Sequence, residues 1–244
     1  MIAYEEMSMN AWPAIRSRVR EGCILRASNG YTKRANSANP IHSRGTKPEA
    51  LEAYADDFFR SQGLPSIFKM IKAEGYDELD RYLDSRQYGI IDPTHVMTMD
   101  LGTVAGSANG KVVTTRHFYK EWVDSFIRCN SIPGKFVETA KAMLSLITVD
   151  VIVASVVDDS TIVACGYGAL EAGCVGFYDI VVDPEYRKRG YGRALMEAII
   201  AQARLQGAQR GYLQVRDSNE IARRLYLGLG FREEYAYWYR VKNR

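Results

Sequence analysis

The chain has 244 residues, of which 47% are hydrophobic and 25% charged, and its net charge is +3. This is the make-up of a globular protein with a proper core, long enough for one large domain or two small ones. So mild a charge, spread along the chain, argues against nucleic acid as a partner, and no apolar run is long enough to span a bilayer as a helix.

The cysteines Cys23, Cys129, Cys165 and Cys174 include no C-x-x-C pair, and only three histidines accompany them, so no metal is expected. Free thiols fit a reducing compartment. The acidic start Met1–Met7 lacks the basic-then-apolar order of a leader, and the expected location is the cytoplasm.

In chain order, residues 5–20 read as helix around Pro13, and residues 22–27 as a strand. Asn29-Gly30 is a strong hairpin signal, with a return strand expected from Tyr31 towards Ala38. Pro48 opens a helix with an apolar face at Leu51, Ala53, Tyr54, Phe58 and Phe59. A strand over 66–71, a helix over 76–86 and a strand over 95–101 follow. The small, polar, glycine-rich residues 102–111 read as a linker. Helices are expected over 117–128 and 135–145, then strands over 149–157, 161–170 and 174–182. A basic glycine loop leads to a helix from about Tyr191 to Gln206. A strand over 211–216, a helix over 219–229 and a strand over 235–241 close the chain.

The halves match. Laying Asp183-Pro184 on Asn39-Pro40 also lays Leu195 on Leu51 and Gln206-Gly207 on Gln62-Gly63, with Phe231 beside Tyr88. Two copies of one α/β (α+β) unit account for the length. The expected division is 1–101, a connector over 102–116, and 117–244. Arg187, Gly190 and Gly192 correspond to Ser43, Thr46 and Pro48. Pro48 has no N–H to offer an anion, and Thr46 lacks the backbone freedom of glycine, so the first copy is expected not to work as the second does.

A strand entering a glycine-bearing turn before a helix leaves amides unpaired at a positive helix end, which makes an anion site. Arg187, Lys188 and Arg189 add charge, and the pyrophosphate of a coenzyme is the expected anion. The pattern Ile180-x-Val182-x-Pro184-x-x-Arg187-x-x-Gly190-x-Gly192 resembles the acetyl-CoA motif of the GNAT superfamily of N-acetyltransferases. Asn219-x-x-Ala222-x-x-x-Tyr226-x-x-x-Gly230-Phe231 resembles its second signature. The resemblance covers about residues 120–244, and the first half looks like the degenerate partner of tandem GNAT proteins.

The resemblance implies two GNAT-like units, each a mostly antiparallel sheet with one parallel pair and flanking helices. Coenzyme A would lie where the strand ending at Val182 splays from the strand around Leu213–Val215. Ile180, Val181 and Val182 would bind its pantetheine arm. The amides of Arg187, Lys188, Arg189, Gly190, Tyr191, Gly192 and Arg193 would receive the pyrophosphate. Asn219 would cap its helix and contact the coenzyme. Tyr226 matches the tyrosine near the coenzyme sulfur, a general acid for the departing thiolate. The general base stays open. Gln214 stands where some members carry glutamate, which leaves Asp179, Glu171, a group from the first half acting through water, or no base at all. The N–H of Ile180 or Val182 could serve as an oxyanion donor. Cys165 and Cys174 read as structural thiols, so direct transfer in a ternary complex is expected.

The implied reaction moves an acetyl group from acetyl-CoA to a primary amine of a small molecule. Acetylation of a peptide or protein amine, and a non-catalytic acyl-CoA sensor, are the alternatives. The Gly30–Ser37 stretch looks family-specific but names no substrate, and oligomeric state is not legible.

Overall fold

The computed structural model describes residues 1–43, 45–103 and 112–242. Helix α1 (Ile2–Ala11) ends before Pro13, and Arg16–Arg20 is strand β1. This corrects the expected helix over 5–20. Pro13 cannot continue a helix, and the alternation of Arg16, Arg18 and Arg20 with Ser17 and Val19 offers no apolar helical stripe. All of β1 is exposed.

Glu21 and Gly22, both at positive φ (47° and 74°), turn β1 into β2 (Cys23–Ala27). Asn29 and Gly30 are also at positive φ (52° and 78°), but no return strand follows them. The Asn36 side chain takes their place in the hydrogen bonding. Its Oδ1 accepts from the amides of Ser28 (2.7 Å) and Gly30 (2.9 Å), and its Nδ2 donates to the Thr32 carbonyl (2.7 Å). Residues 28–37 are therefore a loop closed on itself, and only Ala38–Asn39 pair, as β3.

Helix α2 (Pro48–Ser61), β4 (Ile67–Ile71), α3 (Asp77–Ser85) and β5 (Tyr88–Asp100) complete the first half. The second holds β6 (Val112–Thr115), α4 (Lys120–Cys129), α5 (Val137–Ser145), β7 (Asp150–Asp158), β8 (Thr161–Glu171) and β9 (Cys174–Val182). Helix α6 (Tyr191–Leu205), β10 (Arg210–Arg216), α7 (Glu220–Leu227) and β11 (Arg232–Lys242) follow. Of the expected connector, residues 104–111 lie outside the described residues, whereas Val112–Thr115 is strand paired with β7.

The mixed, mostly antiparallel α/β class read from the sequence is present, with β3·β4 and β9·β10 as parallel pairs. Both sets of strands lie in one sheet, ordered β1-β2-β3-β4-β11-β5-β10-β9-β8-β7-β6. The halves interleave. Strand β11 sits between β4 and β5, and β5 sits between β11 and β10. Each half thus lends its last strand to the other.

One apolar cluster packs Leu195, Met196, Ile199 and Ile200 of α6 on Leu213 and Val215 of β10. A second packs Leu51, Phe58 and Phe59 of α2 with Leu79 and Leu83 of α3 on Phe68 and Met70 of β4. The largest cluster joins α1, α4 and α5 through Tyr4, Trp122, Phe126, Met143, Tyr178, Tyr237 and Tyr239. Helix α1 is pinned by Glu5, fully buried, which pairs with Lys69 of β4 and accepts from the Tyr235 hydroxyl (2.7 Å).

Residues 112–242 expressed alone would lack β4 and β5, leaving one edge of β10 and both edges of β11 unpaired. They are expected not to fold, and to recover a native circular-dichroism and NMR signature only when co-expressed with residues 1–103. A well-dispersed spectrum from 112–242 alone would contradict the interleaved sheet.

Candidate active site

Strands β9 and β10 run parallel in register from Cys174↔Arg210 to Phe177↔Leu213, and there the pairing stops. Beyond it, Val181 and Val182 pair only on their other side, with Cys165 and Ala164 of β8. The β10-facing side of Ile180–Val182 thus has no strand partner, as the splayed-strand expectation required.

A bulge starts the splay. The β8·β9 register slips between Cys165↔Val181 and Tyr167↔Tyr178, and Asp179 takes a left-handed conformation (φ 50°). An extra residue shifts the side-chain alternation, so Phe177 and Ile180 both pack towards α6 while Tyr178 and Val181 pack on the α4 side. Gly166, opposite the bulge, makes this possible. A Cβ there would come within 3.1 Å of the Ile180 Cα and 2.4 Å of its Cδ1. The sequence reading missed Gly166, because its partner lies across the sheet.

A cavity of about 580 Å³ passes through the gap. Ile180 and Tyr226 line it from the α6–α7 side. Tyr178, Tyr237 and Tyr239 line it from the other face. Gly30, Tyr31, Thr32, Lys33, Arg34 and Asn36 of the first-half loop close it. That loop is fixed in place. Buried Arg26 donates to the carbonyls of Arg34 (2.8 Å), Met9 (3.3 Å) and Trp12, Trp12 Nε1 donates to Thr32 Oγ1 (3.2 Å), and Asn29 Nδ2 donates to Thr139 Oγ1 of α5 (3.0 Å).

Asp179 lines the cavity beside the bulge. Its Oδ2 is buried without a hydrogen-bond partner, and burial pushes its carboxyl up to about 6, against the pull of Arg34. Tyr226 is half-buried, its ring edge-on to Phe231 at 6.0 Å, and burial with the nearby Asp179 charge pushes its phenol up to about 12. Gln214 Oε1 accepts from the Tyr237 hydroxyl (3.0 Å). Glu171 does not reach the cavity. It sits at the β8–β9 turn, bound by Asn10 Nδ2 at 2.9 and 3.1 Å.

The glycine loop has the geometry the anion reading needs. Lys188 (φ 61°) and Gly190 (φ 81°) are left-handed, and Gly190 is the N-cap of α6. The first bond of the turn runs from the Ala194 amide to the Gly190 carbonyl (3.0 Å). Among the described residues, the amides of Lys188, Arg189, Gly190, Tyr191, Gly192 and Arg193 have no acceptor. The arginine side chains are partly engaged: Arg187 Nε donates to the Val182 carbonyl (3.3 Å), Arg189 lies 3.9 Å from Asp158, and Arg193 donates to the Gly228 carbonyl (3.1 Å). Asn219 caps α7 by accepting from the Ala222 amide (3.2 Å) and also lines the cavity.

The matching turn of the first half differs. The Thr46 amide donates to the Ser43 carbonyl (3.1 Å), Pro48 opens α2, and the adjacent space, which Met1 and Ile2 help to line, is only about 60 Å³.

Residues 2–240 match the family model described as "probable histone acetyltransferase Rv0428c C-terminal". The chain belongs to this family. It is an acetyltransferase of the GNAT type. The "uncharacterized N-acetyltransferase YobR" of Bacillus subtilis (strain 168) is 28% identical over 243 residues, covering 98% of this chain and 97% of that protein. The "[ribosomal protein bS18]-alanine N-acetyltransferase" of Escherichia coli (strain K12) is 45% identical over 56 residues, covering 23% and 38%. The solved "GCN5-related N-acetyltransferase from Kribbella flavida" shares the fold, with a TM-score of 0.74, 14% identity, and coverage of 100% of this chain and 95% of that one. No helix among the described residues is long and apolar enough to cross a membrane.

Replacing Gly166 by valine should force the bulge aside, costing about 1–3 kcal/mol. Thermal unfolding checks this, and an unchanged melting temperature would remove Gly166 as the bulge's support.

Proposed function

We propose that this GNAT-type acetyltransferase transfers acetyl from acetyl-CoA to the primary amine of a small molecule, using two GNAT-like units of which only the second holds coenzyme. The observation that carries this reading is the gap between β9 and β10. It brings an open backbone edge and an unpartnered carboxylate into one cavity that the first half closes, and the run of unpaired amides at the start of α6 follows directly on β9.

The residues present fit coenzyme A. The loop amides of Lys188–Arg193 and the positive end of α6 suit a pyrophosphate, whereas the Arg187 amide, expected among them, donates to the Pro184 carbonyl (3.5 Å). The free edge of Ile180–Val182 suits the amides of a pantetheine arm, and Asn219 stands beside it. When bound, acetyl-CoA supplies an acetyl thioester. Asp179 takes the proton of the acceptor's ammonium, because its raised pKa makes it a fitting base near neutral pH. Tyr226 stays protonated at that pH and donates to the leaving sulfur. The N–H of Ile180 or Val182 is available to negative charge on the carbonyl oxygen. Cys165 is fully buried, which favours direct attack in a ternary complex over an acyl-enzyme. The first half's contribution is the loop over the acceptor end. A protein amine is the second reading, favoured by the family's description and by the short match to an enzyme named for a ribosomal protein.

Thiol release from acetyl-CoA across a panel of small primary amines and amine-bearing peptides tests the function. Amine-dependent release is expected. Tight coenzyme binding with no release from any amine would leave only a sensor.

The rate should fall about tenfold per pH unit below pH ~6, where Asp179 becomes protonated. Asp179→Asn should lower kcat/KM by at least about 10²-fold and erase that limb. A limb that survives in the variant belongs to another group. Tyr226→Phe should lower kcat by about 10²-fold with little change in coenzyme affinity measured by calorimetry; full activity would end its role as acid.

A further inference from the structure

The 30–36 loop brings three cations near the cavity's acceptor end if Arg216 of β10 is counted with Lys33 and Arg34. Two of them are answered by one carboxylate. Lys33 Nζ lies 2.9 Å from Asp92, and Arg216 lies 3.7 Å from it. Arg34 is not answered. Among the described residues its guanidinium has no hydrogen-bond acceptor and no carboxylate oxygen within 4.0 Å; its contact is the face of Trp12, at 5.4 Å. It is half-buried, where an unpaired guanidinium with five open donors is costly.

Two other cavity groups are also left without partners. The Asp179 Oδ2 and the Tyr239 hydroxyl are both buried and unbonded. Asp179 and Arg34 feel each other's charge, yet no ion pair closes between them. A cation and an anion are thus held apart at one cavity, and the unbonded Tyr239 hydroxyl lines it with them. The pyrophosphate does not explain Arg34, because the loop with the open amides at the start of α6 does not line this cavity. Nor is Arg34 a floppy surface charge. Its carbonyl is clamped by Arg26, and its loop by Asn36.

We propose that the acceptor is an amino-acid-like zwitterion, whose amine reaches Asp179 while a carboxylate on the same molecule is bound by Arg34 and the Tyr239 hydroxyl. This rests on the amine-acetyltransferase reading and names its substrate class. One bifunctional ligand would pair the three groups named here, Arg34, Asp179 and the Tyr239 hydroxyl. An amine without the carboxylate would leave the guanidinium unpaired, and that penalty is the source of selectivity. The planar fork of arginine also fits a carboxylate with two parallel hydrogen bonds.

The test uses the full chain with acetyl-CoA and matched pairs of amines: glycine, L-alanine, L-glutamate and 4-aminobutyrate, each against its carboxamide. Thiol release gives kcat and KM, and calorimetry on the coenzyme A complex gives acceptor binding without turnover. At least one acid should be preferred over its amide by about tenfold or more in kcat/KM, chiefly through KM. Arg34→Gln should bring that ratio towards one, and Arg34→Lys should restore part of it. Coenzyme binding by each variant shows that it is folded. Amides used as well as acids, or a preference that survives Arg34→Gln, would overturn the proposal while leaving the acetyltransferase reading intact. Acids that bind through Arg34 but release no thiol would do the reverse. Neither binding nor release by any pair would sink both.

Discussion

The pairing of β5 with β11 is the constraint on which the rest of this fold depends. These strands come from different halves, yet they lie side by side at the centre of the sheet, from Arg232↔Thr98 to Lys242↔Tyr88. Neither half can complete its hydrogen bonding without the other. Rigid attachment of the halves follows, and so does the site. The first-half loop stands over a gap in the second half because β11 delivers Tyr237 and Tyr239 between them. Arg240, buried on β11, strengthens the exchange by pairing with Asp80 (2.8 Å) and Asp84 (2.6 Å) around α3.

The gap itself carries an energetic cost. Asp179 sits in a backbone conformation that side-chain-bearing residues seldom adopt, with a carboxylate oxygen that nothing satisfies. In the fold it binds a proton more tightly than an ordinary aspartate, whose pKa is 3.8, because burial outweighs the attraction of Arg34. The sign follows: the folded state holds the extra proton, so this group weighs increasingly against the fold as pH rises from about 4 through about 6. Strain and desolvation of this kind, gathered at one residue beside a cavity, are common where chemistry is done.

Much of this was legible in the sequence. Strand β9 spans the expected residues, and Pro48, Gly190 and Asn219 sit at the helix starts where they were read. These features are local, set by proline, glycine and capping chemistry within a few residues. What was not legible depends on distant partners. Periodicity reports which face of a strand is buried but not which strand lies beside it, so the exchange of β5 and β11 left no trace. The run Phe177-Tyr178-Asp179-Ile180 gives no sign of a bulge, and Gly166 reads as any strand glycine until Ile180 is seen against it. Asn29-Gly30 did adopt turn angles; it was Asn36 that cancelled the hairpin by taking the neighbouring amides.

The interleaved sheet also sets an order of events during synthesis. Domains made early on a ribosome commonly fold as they emerge. Here the slot between β4 and β5 stays empty until residues 232–242 have been made. The first half must therefore wait, with one edge of β4 and both edges of β5 unpaired, for a strand translated more than a hundred residues later. Nascent chains on neighbouring ribosomes present the same slot and the same strand. Local crowding of translating copies thus bears on whether each chain closes on itself or on its neighbour.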